Sequence, residues 1–190
     1  MKKEDTINKL LGTKLDEVLK FNHEFREESD RGCALMAAAY LDEALKQMLA
    51  SYMVNDKRLI KDLFNGQGPL ATFSSRINLA FALGKISNEA KFDLHIIRRI
   101  RNDFAHISEP IDFENESISN RCKELRHQTL PNESSSREFF TRAVMGVLAM
   151  IHIHQITANR PQIPKDINIQ SINGFEETLR GITKSIMEEI

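Results

Sequence analysis

The sequence predicts an all-α protein, a multi-helix bundle of about seven helices built as a single helical domain over residues 1–190. Two observations carry that expectation. Apolar residues recur at spacings of three and four, the period of an amphipathic helix, and nowhere alternate for long enough to build a sheet. Strong breakers are few: five prolines and eight glycines divide the chain into segments of helix length.

Taken in order, Ile7 to Leu11 reads as a short amphipathic segment. Gly12, Thr13 and Asp16 read as a capping box that opens a helix with the stripe Leu15, Val18, Leu19 and Phe25. Ser29 and Asp30 cap a second helix whose wide apolar face runs from Cys33 through Ala37, Leu41, Leu45 and Met48 to Tyr52. Leu59 to Phe64 is a short helix or turn, and Gly66-Gln67-Gly68-Pro69 breaks the chain before a new helix at about Leu70. Gly84 with Ser87 marks a stop and restart, giving a helix from Asn88 to Ile107 that Pro110 terminates. Glu114 to Leu125 forms one more short helix, and Asn132 to Ser136 is a surface loop. The C-terminal helices cover 135–158 and 174–189, joined by an extended linker with Pro161 and Pro164. The first of these is central; the second is expected to pack Phe175, Leu179, Ile182 and Ile186 onto the bundle.

Charge and composition narrow the function. Lys plus Arg number 26 against 27 for Asp plus Glu, so the chain lacks the overall basic charge of a dedicated nucleic-acid binder, although a local patch is compatible with it. Cys33 and Cys122 stand apart and fit neither a disulfide framework nor a metal-ligand spacing, which points to a reducing compartment. The start, MKKEDTINKL, has no apolar signal region, and the longest apolar run, Ala143 to Ile151, is about half of a bilayer-spanning helix. A cytoplasmic protein with no membrane contact is the expectation. No cofactor or metal is implied: His152 and His154 project about 200° apart on a helix and cannot share an ion. Asp42 and Glu43 read as solvated carboxylates beside the apolar face, and the Gly66 to Pro69 loop lacks the Lys-Ser/Thr of a phosphate-binding loop.

The most unusual segment is FDLHIIRRIRNDFAHI, Phe92 to Ile107. Phe92, Ile96, Ile100 and Phe104 form one buried stripe, while Arg98, Asn102 and His106 form a second line at the same spacing, with Arg101 beside it. A structural account of these residues pairs the arginines with Asp103, Glu109 or Asp112 on a solvated face and lets His106 cap the helix end. A functional account turns them toward a phosphate.

The words GPLATFSSRINLAFALGKI (Gly68 to Ile86) and DLHIIRRIRNDFAH (Asp93 to His106), with DRGCALMAAAYLDEAL (Asp30 to Leu45) upstream, resemble the mannitol operon repressor (MtlR) family over roughly residues 30–125. That resemblance implies an all-helical bacterial transcriptional regulator that forms a homodimer. Nothing in the chain looks like a helix-turn-helix with an exposed basic recognition helix, so regulation through a protein partner fits better than direct DNA or RNA binding. The same segment resembles the HEPN superfamily, whose ribonuclease members carry an Arg-polar-x3-His pattern that Arg101, Asn102 and His106 match. The alternative it implies is a metal-independent ribonuclease. In it His106 moves protons, Arg101 stabilises phosphate charge and Asn102 orients the pair, at a site shared between two protomers. Arg121 and His127 repeat a similar spacing on a segment expected to be exposed.

Overall fold

The computed structural model describes residues 3–127, 134–166 and 174–188, with the side chains of residues 3–11, 15 and 188 left aside. Among the described residues there are eight helices: α1 (Lys3–Glu27), α2 (Asp30–Ser51), α3 (Lys57–Phe64), α4 (Phe73–Ala82), α5 (Asn88–His106), α6 (Glu116–Glu124), α7 (Ser136–Ile156) and α8 (Phe175–Glu188). The boundaries follow from caps. Ser29, Asp56, Thr72, Ser87, Asn115 and Ser135 each accept a hydrogen bond from a first-turn backbone N–H, replacing partners that the helix start cannot supply.

Helices α2, α5 and α7 pack on one another at the centre. Helix α1 lies across α2 and α7, α4 against α2 and α5, and α6 bridges α5 and α7. The wide face of α2, Cys33, Ala37, Leu41, Leu45 and Met48, is wholly buried, as its small and large residues at spacings of three and four require. A line of phenyl rings ties the elements together: Phe25 on α1 faces Phe140 on α7, which faces Phe113 in the α5–α6 connection, which faces Phe104 on α5. By length and composition α7 is apolar enough to cross a membrane, but Phe139, Phe140, Ala143, Val144, Val147, Leu148 and Ile151 lie in the bundle core. It is a core helix rather than a sign of a membrane span.

Four expectations are corrected. Helix α1 runs unbroken through Gly12, so no capping box opens there; Leu19 is 56% exposed, and the side chains that enter the core are Phe21 and Phe25. The expected Leu15 contact lies outside the described side chains. Helix α4 begins at Phe73 rather than Leu70, because the Leu70 backbone is taken by Leu63 on one side and by the Arg76 side chain on the other. The turn before it needs its glycine: a Cβ on Gly68 would run into the Asp62 and Leu63 carbonyls. Helix α8 forms, but it does not pack: Leu179, Ile182, Ile186 and Met187 are all exposed. Of the NESSS loop, Asn132 and Glu133 lie outside the described residues; Ser135 caps α7 and Ser136 begins it.

Candidate functional site: the outward face of α5

Helix α5 is amphipathic in an unusual way. Its inner face, Asp93, Leu94, Ile97, Ile100 and Phe104, is buried. Its outer face reads Lys91, His95, Arg98, Arg99, Asn102 and His106, spaced so that all six project to one side over roughly 22 Å of helix. No carboxylate lies on that line. Phe92 and Ile96 edge it, and with Asn88, Lys91, His95 and Arg99 they line a cleft of about 200 Å³. The Arg126 guanidinium extends the positive field at one end, lying 4.1 Å from the Phe92 ring centre, and the Lys91 amine sits 4.3 Å from that of Phe81.

Two of the three carboxylates expected to neutralise these arginines are engaged elsewhere. Asp103 pairs with Arg121, and the Asp112 carboxylate accepts from the backbone of Glu114 and Asn115. Arg98 Nε is shut away from water with no acceptor among the described residues. Burial pushes the His95 imidazole below its ordinary value, and the neighbouring charges of Arg98, Lys91 and Arg99 push it further down. The ridge is therefore a concentration of fixed positive charge on a chain whose net charge is only −1. Chemically it suits an anionic surface.

The three sequence-derived site residues divide. Asn102 stands half-buried on the outward line and His106 exposed at its end. Arg101 leans to the other side of the helix, where its charge helps keep Asp42 ionised. The carbonyl just past the helix, that of Ile107, is taken by Arg31 at 2.9 Å, which also bonds the Glu109 carbonyl at 3.2 Å. Arg31 thus fixes the end of α5 from which His106 projects.

Three further charged residues tie the elements of the bundle together, Asp93 on this helix and Arg76 and Arg137 outside it. Asp93 is fully buried, yet its carboxylate accepts from the Arg126 and His127 backbone amides and meets the His127 ring at 2.8 Å. The segment expected to be exposed around Arg121 and His127 is thereby tied to α5 through Asp103 and Asp93. Arg76, 7% exposed, reaches the carbonyls of Phe64 and Leu70 and the Asp42 carboxylate at 2.7 Å. Asp42 is therefore not a solvated flank: burial raises its carboxyl pKa, and the Arg76 charge and hydrogen bond oppose that rise. Arg137 closes the α1–α2 corner, pairing with Asp30 and donating to the Phe25 and Arg26 carbonyls. The signal for Arg76 was present in the sequence, since it sits at the i+3 position of the Phe73-Ile77-Ala80 stripe, where a free arginine would be forced into the core.

Among the described residues no group of three or more histidine, cysteine or acidic side chains is placed to hold a metal ion. His152 is buried and bonds Gln155, while the His154 carbonyl accepts from Tyr52, so the IHIH segment belongs to the core boundary.

Fold and site together define an all-helical protein whose α5 turns a line of cations outward. The chain belongs to the mannitol repressor (MtlR) family, which matches residues 21–142, a span from the second half of α1 through the start of α7 that contains the whole ridge. Among solved structures it is similar to a chain in the X-ray structure of the MtlR–HPr complex from Escherichia coli. The TM-score is 0.57 and the identity 19%, over 70% of this chain and 99% of the other. No curated protein sequence matches it.

Proposed function

We propose that this protein is a cytoplasmic transcriptional regulator of the mannitol repressor type that acts by binding a protein partner. The observation that carries the reading is the family match over residues 21–142. The structural likeness to a protein found in complex with HPr supports a protein partner and makes HPr the first one to test. Charge supports a protein over duplex DNA. The ridge supplies three fixed cations, Lys91, Arg98 and Arg99, whereas tight duplex binding rests on about six to ten phosphate contacts. Three aligned cations suffice to orient an acidic patch on a protein surface. Deleting the gene should change expression of a sugar-utilisation operon, read by transcript profiling; an unchanged profile on every sugar tested would sink the reading.

A second reading, the metal-independent ribonuclease, draws on one observation: Asn102 and His106 share the outward line with Arg98 and Arg99. Its shared site needs the α5 ends of two protomers brought together, with Arg101 turned from Asp42 toward the RNA phosphate. Incubating labelled RNA with the protein in chelator tests it. Cleavage by the wild type that disappears in His106→Ala would establish this reading over the first, and intact RNA in both would eliminate it.

A further inference from the structure

His152 on α7 is 6% exposed, and its Nε2 has no hydrogen-bond partner among the described residues. Which nitrogen of the ring carries the hydrogen follows from a chain of three bonds that ends on a carboxylate. An ionised carboxylate only accepts, so the Gln47 amide must turn its Nε2 to Glu43 Oε1, 3.2 Å away. The Gln47 oxygen then takes Gln155 Nε2 at 3.4 Å, which leaves the Gln155 oxygen for His152 Nδ1 at 3.3 Å. Nδ1 therefore donates, and burial favours the neutral form of the ring. Nε2 is left as a bare lone pair, and an acceptor buried without a donor is costly.

The ring lines a hollow of about 480 Å³ between α1, α2 and α7, far more than the roughly 30 Å³ of one water. Its other polar walls are Lys14, Glu17, Tyr40, Glu43 and Gln47. Acceptors dominate: two carboxylates and the bare Nε2 face a single lining ammonium, that of Lys14, which Glu17 holds at 2.6 Å. Outside the lining, Lys46 approaches Glu43 at 3.4 Å. A second hollow of about 510 Å³ adjoins the first, sharing Glu17, Tyr40 and Glu43, and its apolar surface includes Phe21 and Met36. There the Phe21 and Tyr40 rings stack with centres 4.2 Å apart. An anion entering this space would meet two like charges. No three histidine, cysteine or acidic side chains among the described residues are placed to hold a metal ion, so the lining suits an organic cation.

We propose that the adjoining hollows bind a small primary amine with an aromatic tail, its ammonium at His152 and its ring on the Phe21–Tyr40 stack. An ammonium brings three N–H donors, one for His152 Nε2 and two for the Glu17 and Glu43 carboxylates. The aromatic tail adds an offset stack to its burial. Nε2 is covered in the free chain, and Lys14 lies close enough for its charge to act on the ring. The incoming ammonium replaces Lys14 on Glu17, and the long lysine side chain swings outward and uncovers the acceptor. The site shares no residue with the outward line of α5 and is independent of partner binding.

Nuclear magnetic resonance of the full chain, with isotope-labelled imidazole nitrogens, tests the proposal. The probes are phenethylamine, phenethyl alcohol and phenylacetate, which share an aromatic body and differ in charge. The amine should move the His152 Nε2 resonance saturably, with a dissociation constant on the order of 1 mM for a ligand of this size. The alcohol should bind at least about tenfold more weakly, for want of charge-assisted bonds, and phenylacetate should leave the ring unmoved. Glu17→Gln changes an exposed side chain, so the fold is kept, and it should weaken the amine about tenfold without changing the alcohol. An Nε2 resonance unmoved by about 20 mM amine overturns the proposal. So does an amine that binds no better than the alcohol, which would reduce the contact to stacking on Phe21 and Tyr40, or one indifferent to Glu17→Gln.

Discussion

Helices α5 and α8 carry the same kind of pattern and meet opposite fates. Both have apolar residues at spacings of three and four, and both have a polar face. In α5 the apolar face is sealed against α2, α4 and α7, and the polar face looks outward as a line of cations. In α8 it is the apolar face that looks outward. Periodicity states which face of a helix wants burial; whether a neighbour arrives to cover it depends on contacts far away in the chain. What each helix leaves exposed differs accordingly: a line of cations on α5, an apolar stripe on α8.

The difference between the two helices should be largest in stability. Phe104→Ala on the inner face of α5 removes a fully buried ring that touches Phe113 and should cost about 3–5 kcal/mol in chemical denaturation, whereas Ile182→Asp on exposed α8 should stay within about 0.5 kcal/mol. Equal losses would mean that α8 is a core element after all. Next in size, Arg76→Leu strands the Phe64 and Leu70 carbonyls and leaves Asp42 without its cation, with an expected loss of about 2–4 kcal/mol by the same measurement. An effect under about 0.5 kcal/mol would show the Arg76 network to be dispensable.

A pH series tests the buried imidazole of α7. Burial holds the His152 imidazole below its ordinary value of 6.5. Above that value both folded and unfolded states are neutral and stability is flat. As pH falls below it, the unfolded imidazole takes up protons before the folded one, so stability falls with a slope of at most about 1.4 kcal/mol per pH unit for this group. His152→Leu should remove that component. A slope unchanged in His152→Leu would place its origin elsewhere. The smallest expected effect on stability, within about 0.5 kcal/mol, belongs to the paired change Arg98→Glu and Arg99→Glu on the ridge. That change should weaken partner binding at least tenfold, and binding left intact would move the contact face off α5.

Much of this architecture is legible in the sequence alone. Helices α2, α3, α5, α6 and α7 follow their caps and stripes closely because Ser29, Asp56, Ser87, Asn115 and Ser135 act locally, through bonds to the next turn. The outward line Arg98-Asn102-His106 is readable from spacing, and the family from three words of sequence that fall within residues 21–142. The illegible features are long-range. No local pattern says that Asp93 will accept amides from residues 126 and 127, that Arg31 will clamp the end of α5 from 76 residues away, or that Asp42 is taken by Arg76. Gly12, a good breaker by residue type, is carried through α1 because a single glycine costs a helix only about 1 kcal/mol.

If this bundle regulates by holding a protein partner, it should bind one in isolation, and HPr is the partner to try. Titrating the full-length protein with HPr in a calorimeter, at low and at high salt, puts that to the test. Saturable binding at a fixed stoichiometry is expected, weakened by Arg98→Glu with Arg99→Glu. Absence of binding at concentrations of about 100 μM, beyond which an affinity is weaker than about −5.5 kcal/mol, would contradict it.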